Sequence, residues 1–495
     1  MLSLDKIIIA SYFAILLVLA VYGLHRYYLV YLYFKHKDQV RRPSVNFTEL
    51  PRVTVQLPIF NESCVVERLI DAVLQLDYPK DKLEIQVLDD STDETAQIAA
   101  AKVADAQRRG FHIEYLHRAN RAGFKAGALA AGLARAQGAY VAIFDADFLP
   151  GPDMLRETVH YFTDPKVGMV QVRWGHINRD YSLLTRLQSI LLDGHFMIEH
   201  TARNRSGRFF NFNGTAGIWR RACIEDAGGW QHDTLTEDLD LSYRAQLRDW
   251  RFVYLPHVVS PAELPVEMSA FKSQQHRWAK GSIQTSMKVL PRIWRSDLPL
   301  KIKTEATFHL TSNVAYVLMI LLALLMLPAL LIRTRYEDSV TSILFDLSIF
   351  MAATSSVLSF YTVSQKEIYA DWRSQIKYFP ALLSLGIGLA INNAKAVLEA
   401  LLRRQSSFVR TPKYNVIGAQ RRGAARYRGV TRYLPVAIEI LFGCYFLLIT
   451  AIAVSHGLLV TSFFLSLFVA GFFYVGIGSM VSPGRLSLAR AASHR

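Results

Sequence analysis

Long segments without charge are the feature that most constrains how this chain can fold. Residues 7–24, 310–332 and 457–479 contain no Asp, Glu, Lys or Arg. About 17 to 25 helical residues are enough to cross the hydrocarbon core of a bilayer. The sequence therefore predicts an integral membrane protein in contact with membrane lipid. No small-residue cleavage site follows the first segment, so we expect an anchor there rather than a cleaved signal.

The charge of the chain follows the same segments. The net charge is +15, from 56 basic and 41 acidic residues. Basic residues cluster beside apolar segments, at 35–42, 292–303, 403–432 and 485–495. This pattern is typical of cytoplasmic membrane edges and argues against a nucleic-acid partner. The three cysteines, Cys64, Cys223 and Cys444, are too far apart for a metal motif and indicate no disulfide framework.

Residues 50 to about 300 alternate between two kinds of pattern. Short β-branched or aromatic runs at 53–57, 84–88, 111–115 and 140–144 are typical of strands, and the segments 63–76, 93–108 and 123–137 are typical of helices. This alternation predicts an α/β domain with a mostly parallel, Rossmann-like sheet. Ligands of such sheets bind beyond the carboxyl ends of the strands.

Polar residues follow three of these predicted strands. They are PIFNE at 58–62, DDSTD at 89–93 and DADF at 145–148. Asp145 and Asp147 are separated by one residue directly after a strand. Two such carboxylates can bind a hard divalent cation together with phosphate oxygens. The order of the three motifs predicts one ligand site at this edge of the sheet.

A series of motifs then identifies a family. In chain order they are PIFNE, LDDSTDETA, NRAGFKAGAL, FDADF, FNGTAGIWRR, TED and QQHRW, which lie between residues 58 and 278. The chain resembles the family 2 glycosyltransferases with a GT-A fold, in their membrane-embedded, cellulose synthase-like group. The residues of several motifs are most similar to those of mannan and glucomannan synthases and their bacterial relatives.

The resemblance implies a role for each matching residue. On the donor side, it implies that the nucleotide sugar contacts Phe60, Glu62, Asp90, Lys125 and Asp145, and that Asp147 with Asp145 holds Mg²⁺ or Mn²⁺. On the acceptor side, it implies contacts with Gly214, Thr215, Gln274 and Trp278. The implied catalytic residues are Asp238 as general base, Glu237 beside it, and Arg277 at the leaving diphosphate.

The acidic stretch TLTEDLDLSYR, residues 234–244, also has a purely structural interpretation. Thr236 would cap a helix, and Glu237 and Asp238 would interact favourably with the helix dipole. The catalytic interpretation adds that a carboxylate must take the proton of a sugar hydroxyl. Like-charge proximity to Glu237 would then raise the proton affinity of Asp238.

A basic loop later in the chain matches another motif of the group. Phe408, Thr411 and Lys413 in FVRTPK match a loop that closes over the nucleotide in cellulose synthases. We therefore expect Thr411 and Lys413 near the diphosphate, where closure would exclude water. The alternative is a plain basic loop at the membrane surface.

Two further patterns allow more than one interpretation. Residues 183–205 are amphipathic, which fits either a helix at the membrane interface or a helix packed on the catalytic domain. Polar residues in apolar stretches could line a path for a sugar chain or pair between helices; they are Asp346, Asn392, Asn393, Lys395, Glu399 and Glu439.

The predicted layout has seven parts. They are an anchor at 1–34, a cytosolic GT-A domain at 50–285, an interface segment at 286–306, a transmembrane region at 307–402, a gating-like cytosolic loop at 403–432, a transmembrane hairpin at 433–482 and a basic tail at 483–495. Of the apolar segments 307–332, 339–363 and 378–402, two should cross, because the loop must share the catalytic face. This gives five spans with the N-terminus outside.

These features predict a processive, inverting synthase. It would polymerise a β-linked hexose polysaccharide, with 1,4 linkages, from UDP-glucose or GDP-mannose and pass the chain across the membrane. Its partners would be the nucleotide sugar, the growing polysaccharide acceptor and lipid. A non-processive enzyme acting on a lipid acceptor is the first alternative, and a catalytically silent scaffold or export subunit is the second.

Overall fold

The computed structural model describes residues 4–333, 339–404, 410–421 and 433–480, and the side chains of these except 339–347 and 421. The predictions that involve Phe408, the side chain of Asp346, residues 422–432 and the basic tail at 483–495 lie outside the described residues.

The described residues form a mixed sheet of seven strands. Along the chain the strands are β1 (Val53–Ile59), β2 (Leu83–Asp89), β3 (Ile113–His117), β4 (Tyr140–Ile143), β5 (Val167–His176), β6 (Gly217–Arg220) and β7 (Arg251–Ala262). Their order in the sheet is β3-β2-β1-β4-β6-β5-β7. Strand β6 runs antiparallel to both of its neighbours, and the other pairs are parallel.

Helices cover both faces of this sheet, which explains why its central strands read as continuous apolar runs. They are α2 (Val66–Leu74), α3 (Thr95–Arg108), α4 (Phe124–Arg135), α5 (Met154–Val159), α8 (Arg221–Asp226) and α9 (Glu237–Gln246). Val55 of β1 packs in one core with Ile70 of α2. Ile143 of β4 packs in the opposite core with Leu129 of α4. The predicted α/β fold is confirmed, with strand and helix positions within three residues of those predicted up to β4.

The antiparallel strand β6 places a loop where the ligand edge needs it. Because β6 runs opposite to β4, its first residue, Gly217, lies opposite Ile143, the last residue of β4. The loop before β6 therefore meets the segment that follows β4. Two hydrogen bonds join them: Ala216 N–H donates to Ile143 O at 2.8 Å, and Asp145 N–H donates to Thr215 Oγ1 at 2.9 Å.

A second set of long helices lies outside the sheet. It comprises α1 (Leu4–His36), α10 (Met268–Arg295), α11 (Leu300–Thr311), α12 (Val314–Arg333), α13 (Ser339–Ile368), α14 (Phe379–Gly388), α15 (Ala390–Leu401), α16 (Tyr433–Ser455) and α17 (Leu459–Met480). Among the described residues, five segments are long and apolar enough to cross a membrane: α1, α12, 372–401, α16 and α17. They indicate a multi-pass membrane protein. Which two segments of 307–402 cross remains a prediction.

The amphipathic segment 183–205 is buried on both sides. It forms α6 (Leu183–Asp193), a π-helix (Gly194–His200) and α7 (Thr201–Arg205). Phe196 packs toward the sheet in the core of Trp219, while Ile190 packs with Leu29 of α1 and Phe360 of α13. Of the two interpretations of this segment, packing on the catalytic domain is the one that the structure supports. The second face is covered by α1 and α13 rather than left open.

Two of the polar residues in apolar stretches, Glu399 and Glu439, pair between helices. Lys272 Nζ of α10 lies 2.6 Å from Glu439 Oε1 of α16 and donates to Ser479 Oγ of α17 at 3.2 Å. Lys280 and His276 of α10 lie 3.3 and 3.2 Å from Glu399 Oε2 of α15. Helix pairing, one of the two alternatives, therefore accounts for Glu399 and Glu439.

Candidate active site

A cavity of about 190 Å³ lies at the carboxyl edge of β1, β2 and β4. Fourteen of the fifteen residues singled out from the sequence line it: Phe60, Glu62, Asp90, Lys125, Asp145, Asp147, Gly214, Glu237, Asp238, Gln274, Arg277, Trp278, Thr411 and Lys413. The fifteenth, Thr215, is fully buried behind the cavity and accepts the backbone hydrogen bond of Asp145. Residues that are up to 353 positions apart in the chain thus share one cleft.

One end of the cleft carries an aromatic ring and several guanidinium groups. The guanidinium carbon of Arg121 lies 3.3 Å from the ring centroid of Phe60, a cation–π contact. The carboxylate of Asp90 accepts two hydrogen bonds from Arg118, at 2.7 and 2.6 Å. Sequence reasoning missed both arginines, although Arg121 lies inside the NRAGFKAG motif. Asp90 is therefore fixed in place before any nucleotide arrives.

Glu62 is a buried carboxylate at the same end. Burial raises the pKa of Glu62 to about 8, against the opposing effect of the nearby Arg410. Arg410 Nη1 lies 3.5 Å from Glu62 Oε2 and donates to the backbone oxygen of Phe60 at 3.0 Å. The motif FVRTPK was predicted to contribute Thr411 and Lys413, and Arg410 is an additional contact that this motif brings to the cleft.

Lys125 connects the two sides of the cleft. Its Nζ donates to Asp145 Oδ1 at 2.5 Å and to the backbone oxygen of Gly214 at 2.9 Å. Burial would lower the pKa of Lys125, but Asp145 and Glu237 outweigh it and raise that pKa. A left-handed backbone at Phe124, with φ of 50°, directs the start of α4 so that Lys125 faces inward. Strain of this kind is concentrated at functional sites.

The two carboxylates after β4 have the chemistry of a divalent metal site. Burial raises the pKa of Asp145, and the charge of Asp147 adds to that effect. Asp147 Oδ2 accepts a hydrogen bond from Lys413 Nζ at 2.5 Å. Each carboxylate thus attracts a cation, which is the behaviour expected of residues that hold Mg²⁺ or Mn²⁺. Such ions are commonly bound by one or two carboxylates with phosphate oxygens and water. Within the described residues no cluster of three or more His, Cys, Asp or Glu forms a self-sufficient metal site.

Residues 410–415, which we call the strap, lie over this carboxylate pair. Glu263 and Glu267, for which the sequence indicated no role, hold the strap in place. Glu263 Oε1 accepts from Tyr414 N–H at 2.7 Å, and Tyr414 Oη donates to Glu267 Oε1 at 2.7 Å. Lys413 Nζ donates to the backbone oxygen of Glu263 at 2.7 Å. No spacing rule links residue 263 to residue 414, so only the fold reveals this contact.

Asp238 lies in the first turn of α9 and lines the same cavity as Thr411 and Lys413 of the strap. Burial raises the pKa of Asp238 to about 7, Glu237 adds to the effect, and Lys125 opposes it. Leu239 N–H donates to Asp238 Oδ1 at 2.8 Å and fixes the carboxylate. A Cβ atom on Gly214, whose φ is +81°, would lie 2.9 Å from Asp238 Oδ2. Only glycine gives this loop both its backbone conformation and its close approach to the carboxylate.

The predicted capping of α9 is wrong in one respect. The helix begins after Thr236 as expected, but the Thr236 side chain makes no capping hydrogen bond. Its Oγ1 lies 3.2 Å from Thr285 Oγ1 of α10 instead. A Cβ on Gly281 of α10 would lie 2.5 Å from Thr236 Cγ2, so the two elements are in close contact. The acidic first turn is thereby fixed to α10.

Helix α10 supplies the last group of cleft residues. Gln274, Arg277 and Trp278 all face the cavity. Burial lowers the pKa of Arg277, against the opposing effect of Glu237 and Asp145. Arg277 therefore shares the carboxylate cluster with Lys125. Cations, the carboxylates of Asp145 and Asp147, the separate carboxylate of Asp238 and the half-buried indole of Trp278 thus line one cavity.

Comparison with known proteins agrees with this geometry. Residues 51–281 match the family described as "Glycosyltransferase like family 2". The chain is 45% identical over 264 residues to glucomannan 4-beta-mannosyltransferase 2 of Arabidopsis thaliana, which covers 52% of this chain and 49% of that protein. It is 43% identical over 262 residues to glucomannan 4-beta-mannosyltransferase 1 of Oryza sativa subsp. japonica, covering 51% and 50%. The chain thus spans about half the length of the curated relatives it matches.

A solved structure shares the fold. A mannosyltransferase from Pyrobaculum calidifontis, in complex with GDP-Man and Mn²⁺, superposes with a TM-score of 0.51 at 22% identity. The match covers 79% of this chain and 99% of that one. The predicted family and the predicted GT-A fold class are both confirmed by these findings. Over residues 51–281, this chain is therefore similar to the glycosyltransferase-like family 2.

Proposed function

We propose that this chain is an inverting mannosyltransferase that extends a β-1,4-linked polysaccharide from GDP-mannose. The main support for this proposal is that Asp145, Asp147, Asp238 and Trp278 line one cleft. The sequence left UDP-glucose and GDP-mannose open as donors. The relatives named glucomannan 4-beta-mannosyltransferase favour mannose as the transferred sugar, and the solved mannosyltransferase binds it as GDP-Man.

The donor diphosphate would occupy the cationic side of the cleft. Lys125 and Arg277 both line the cleft, and an arginine fork suits phosphate oxygens because it donates two hydrogen bonds. Asp145 and Asp147 would hold Mg²⁺ or Mn²⁺. When bound, this ion would supply positive charge to the leaving diphosphate. Phe60 and Arg121 offer a flat surface for the base, next to the fixed carboxylate of Asp90.

Asp238 would act as the general base. A base works best when its pKa lies near the working pH, and burial raises the pKa of Asp238 to about 7. Its carboxylate would take the proton of the attacking sugar hydroxyl. Trp278 would hold the acceptor sugar by stacking, with Gln274 one helical turn away. Gly214 also lines the cavity, and Thr215 supports it from behind.

One displacement accounts for the proposed stereochemistry. The bond from the anomeric carbon to the diphosphate breaks as the bond from the acceptor oxygen forms. The proton goes to Asp238, and the electron pair leaves with the diphosphate. An α-linked donor then gives a β-linked product. The strap would exclude water from this step, since Arg410 contacts Phe60 and Lys413 contacts Asp147.

The membrane helices suit a synthase that exports its product. We propose that the catalytic domain lies in the cytosol and that the chain crosses the membrane five times, with the N-terminus outside. Processive growth and translocation through these helices are part of the proposal. Helix α10 supports it, because it carries Trp278 on the cleft and contacts α15 and α16 through Lys280 and Lys272.

The test is a transfer assay on the full chain in lipid nanodiscs. Radiolabelled GDP-mannose and UDP-glucose are supplied separately with Mn²⁺ or Mg²⁺, and any polymer is digested with linkage-specific hydrolases. We expect mannanase-sensitive polymer from GDP-mannose. Its size on gel filtration separates a processive enzyme from one that modifies a lipid once.

Two results would reject the proposal. One is an α-linked product, which single displacement cannot give. The other is the absence of both polymer and nucleotide release from either donor. The second result would support a catalytically silent scaffold instead.

A further inference from the structure

A chain of polar side chains runs from the cleft to the first membrane helix. It begins at Asn213, which lines the cleft beside Gly214. Asn213 Nδ2 lies 2.9 Å from His195 Nε2, and His195 Nδ1 lies 3.0 Å from Glu199 Oε2. Arg203 then joins two carboxylates, with Nη1 3.1 Å from Glu199 Oε2 and Nε 2.9 Å from Glu305 Oε1. The last contact joins Glu305 Oε2 to His25 Nε2 of α1 at 3.0 Å. The proposed function gives none of these side chains a task.

The π-helix brings two histidines to the same amide. His195 and His200 are five residues apart, and their ring centroids are 4.4 Å apart. A π-helix, whose hydrogen bonds span five residues, brings positions i and i+5 onto one side, and such segments are frequent at functional sites. His200 Nε2 lies 2.5 Å from Asn213 Oδ1, and His195 Nε2 lies 2.9 Å from Asn213 Nδ2. The amide of Asn213 is therefore held at both of its ends.

The hydrogen bonds fix which way the amide points. Arg203 and His195 together outweigh the burial of Glu199 and hold its pKa well below the usual value, so Glu199 is an ionised acceptor. Asn213 Nδ2, which can only donate, lies 2.9 Å from His195 Nε2, so this ring nitrogen is the acceptor and the imidazole hydrogen lies on Nδ1, facing Glu199. This Nε2 accepts an N–H of Asn213. Asn213 Oδ1 consequently faces His200 Nε2, which donates.

The reversed amide is disfavoured by His200. Burial lowers the pKa of His200 well below its usual value, so the ring is neutral and carries one hydrogen. If Asn213 were flipped, that hydrogen would lie on His200 Nδ1. This atom is buried and has no hydrogen-bond partner among the described residues. An unpaired buried N–H costs more than a bare lone pair, so the observed orientation is the stable one.

The fixed amide leaves one donor for a ligand. Asn213 Nδ2 has two N–H bonds, and within the described part of the chain only His195 accepts one of them. Asn213 precedes Gly214, whose missing Cβ leaves room for Asp238 Oδ2. The second N–H thus lies on the loop that contacts the carboxylate of Asp238.

We propose that Asn213 donates this hydrogen bond to the acceptor sugar, and that His195, Glu199 and His200 are positioning residues that fix its amide. The inference deepens the proposed function and rests on it. Arg203, held in turn by Glu305, keeps Glu199 ionised. The orientation of the acceptor therefore depends on a network that ends in α1.

The experiment compares two replacements of His195 in the full chain. His195→Phe keeps a ring but has no acceptor for the Asn213 N–H, whereas His195→Gln places an amide oxygen near the former Nε2. We measure binding of β-1,4-mannotetraose, the KM values of donor and acceptor, and kcat. We expect His195→Phe to weaken acceptor binding and raise acceptor KM at least tenfold, with donor KM within twofold. His195→Gln should restore both to within threefold of wild type.

His176→Phe is the matched control. His176 Nε2 lies 3.1 Å from Asp193 Oδ1 in another buried pair that does not line the cleft. We expect its acceptor KM to equal that of the wild type. If His195→Phe fails to fold, Asn213→Ala replaces it, with the same tenfold effect expected.

The outcomes separate the two proposals. Unchanged acceptor binding in His195→Phe or Asn213→Ala overturns the inference, as does equal impairment in His195→Phe and His195→Gln. Failure of the wild type to bind mannotetraose also overturns it. A wild type that binds mannotetraose but transfers no sugar from either donor overturns the proposed function.

Discussion

Charged side chains are arranged in opposite ways in the cleft and between the membrane helices. In the cleft, Glu237 and Asp238 are adjacent and only Ala146 separates Asp145 from Asp147, and the pKa values of Asp145 and Asp238 are raised. Between the helices, buried charges of the described residues meet opposite ones, as in the pair of Lys272 with Glu439, whose side chains are 9% and 0% exposed. Like-charge crowding costs stability, and pairing avoids that cost.

The difference teaches where this chain gives up stability for chemistry. A carboxylate that is neutralised by a fixed partner cannot take a proton, so Asp238 must remain incompletely paired. A carboxylate among apolar helices has no such task and is stable only with its partner. The same residue types therefore serve two purposes that local sequence does not distinguish.

The variant with the largest expected effect is Asp238→Asn, which removes the incompletely paired carboxylate of the cleft. Asp238→Asn should lower the transfer rate by about 10²–10⁴-fold, because the acceptor hydroxyl loses its base. Donor binding should persist, since Lys125 keeps Asp145 as its partner. Both are measured with purified protein, by labelled polymer and by donor titration. Asp249→Asn, at an exposed position, is the control, and full activity of Asp238→Asn would remove this residue from the proposed role.

Breaking a helix pair should act on stability instead of chemistry. Lys272→Met leaves Glu439 buried without its cation, which typically costs about 3–5 kcal/mol. Thermal unfolding in detergent should show a clear loss. The double variant Lys272→Met with Glu439→Leu should recover most of it, because no unpaired charge remains. A single variant as stable as wild type would show that the pair is not buried in the folded protein.

Gly214→Ala tests how closely the cleft is fitted around its base. The new Cβ would lie 2.9 Å from Asp238 Oδ2, on a residue with φ of +81°. Displacements of this kind lower catalysis by up to about 10²-fold, so we expect a loss of about 10- to 100-fold in kcat. Gly151→Ala, where a Cβ meets nothing within 4 Å, should have no effect. Equal rates in the two variants would contradict the fitted loop.

The smallest effect is the pH dependence near neutrality. Burial raises the pKa of Asp238 to about 7, and only its deprotonated form can accept a proton. Transfer should therefore fall about tenfold per unit as pH drops well below 7, and rise only about twofold from pH 7 to 8. Rates are measured at saturating donor. A residual rate in Asp238→Asn with the same pH profile would assign the titration to another group.

Local patterns predicted most of the sheet and the cleft. The runs that end at Ile59, Asp89 and Ile143 show their strand character within four to seven residues, and the motifs that follow them carry the ligand-side residues. The positions of Asp238 and Trp278 came from the family resemblance, because no periodicity links α9 or α10 to the strand ends. The acidic first turn was placed correctly, although Thr236 proved to contact α10 rather than cap its own helix.

The contacts made by tertiary packing could not be predicted from the sequence. Glu263 and Tyr414 are 151 residues apart, and Asn213 meets His195 only because a π-helix interrupts the helical repeat. The burial of both faces of 183–205 has the same origin, since an amphipathic pattern reports one apolar face but not the helices that cover the other.

Helix α10 has a practical consequence for anyone who wishes to isolate the sugar-transfer domain. The family match ends at residue 281, yet the helix continues without a break to Arg295. Its far side packs Ile283 against Val397 and Ala400. A soluble truncation at the family boundary would cut this helix three residues after Trp278 and remove the turns that pack against α15. Only the chain with its bilayer-facing helices keeps Trp278 on a rigid support.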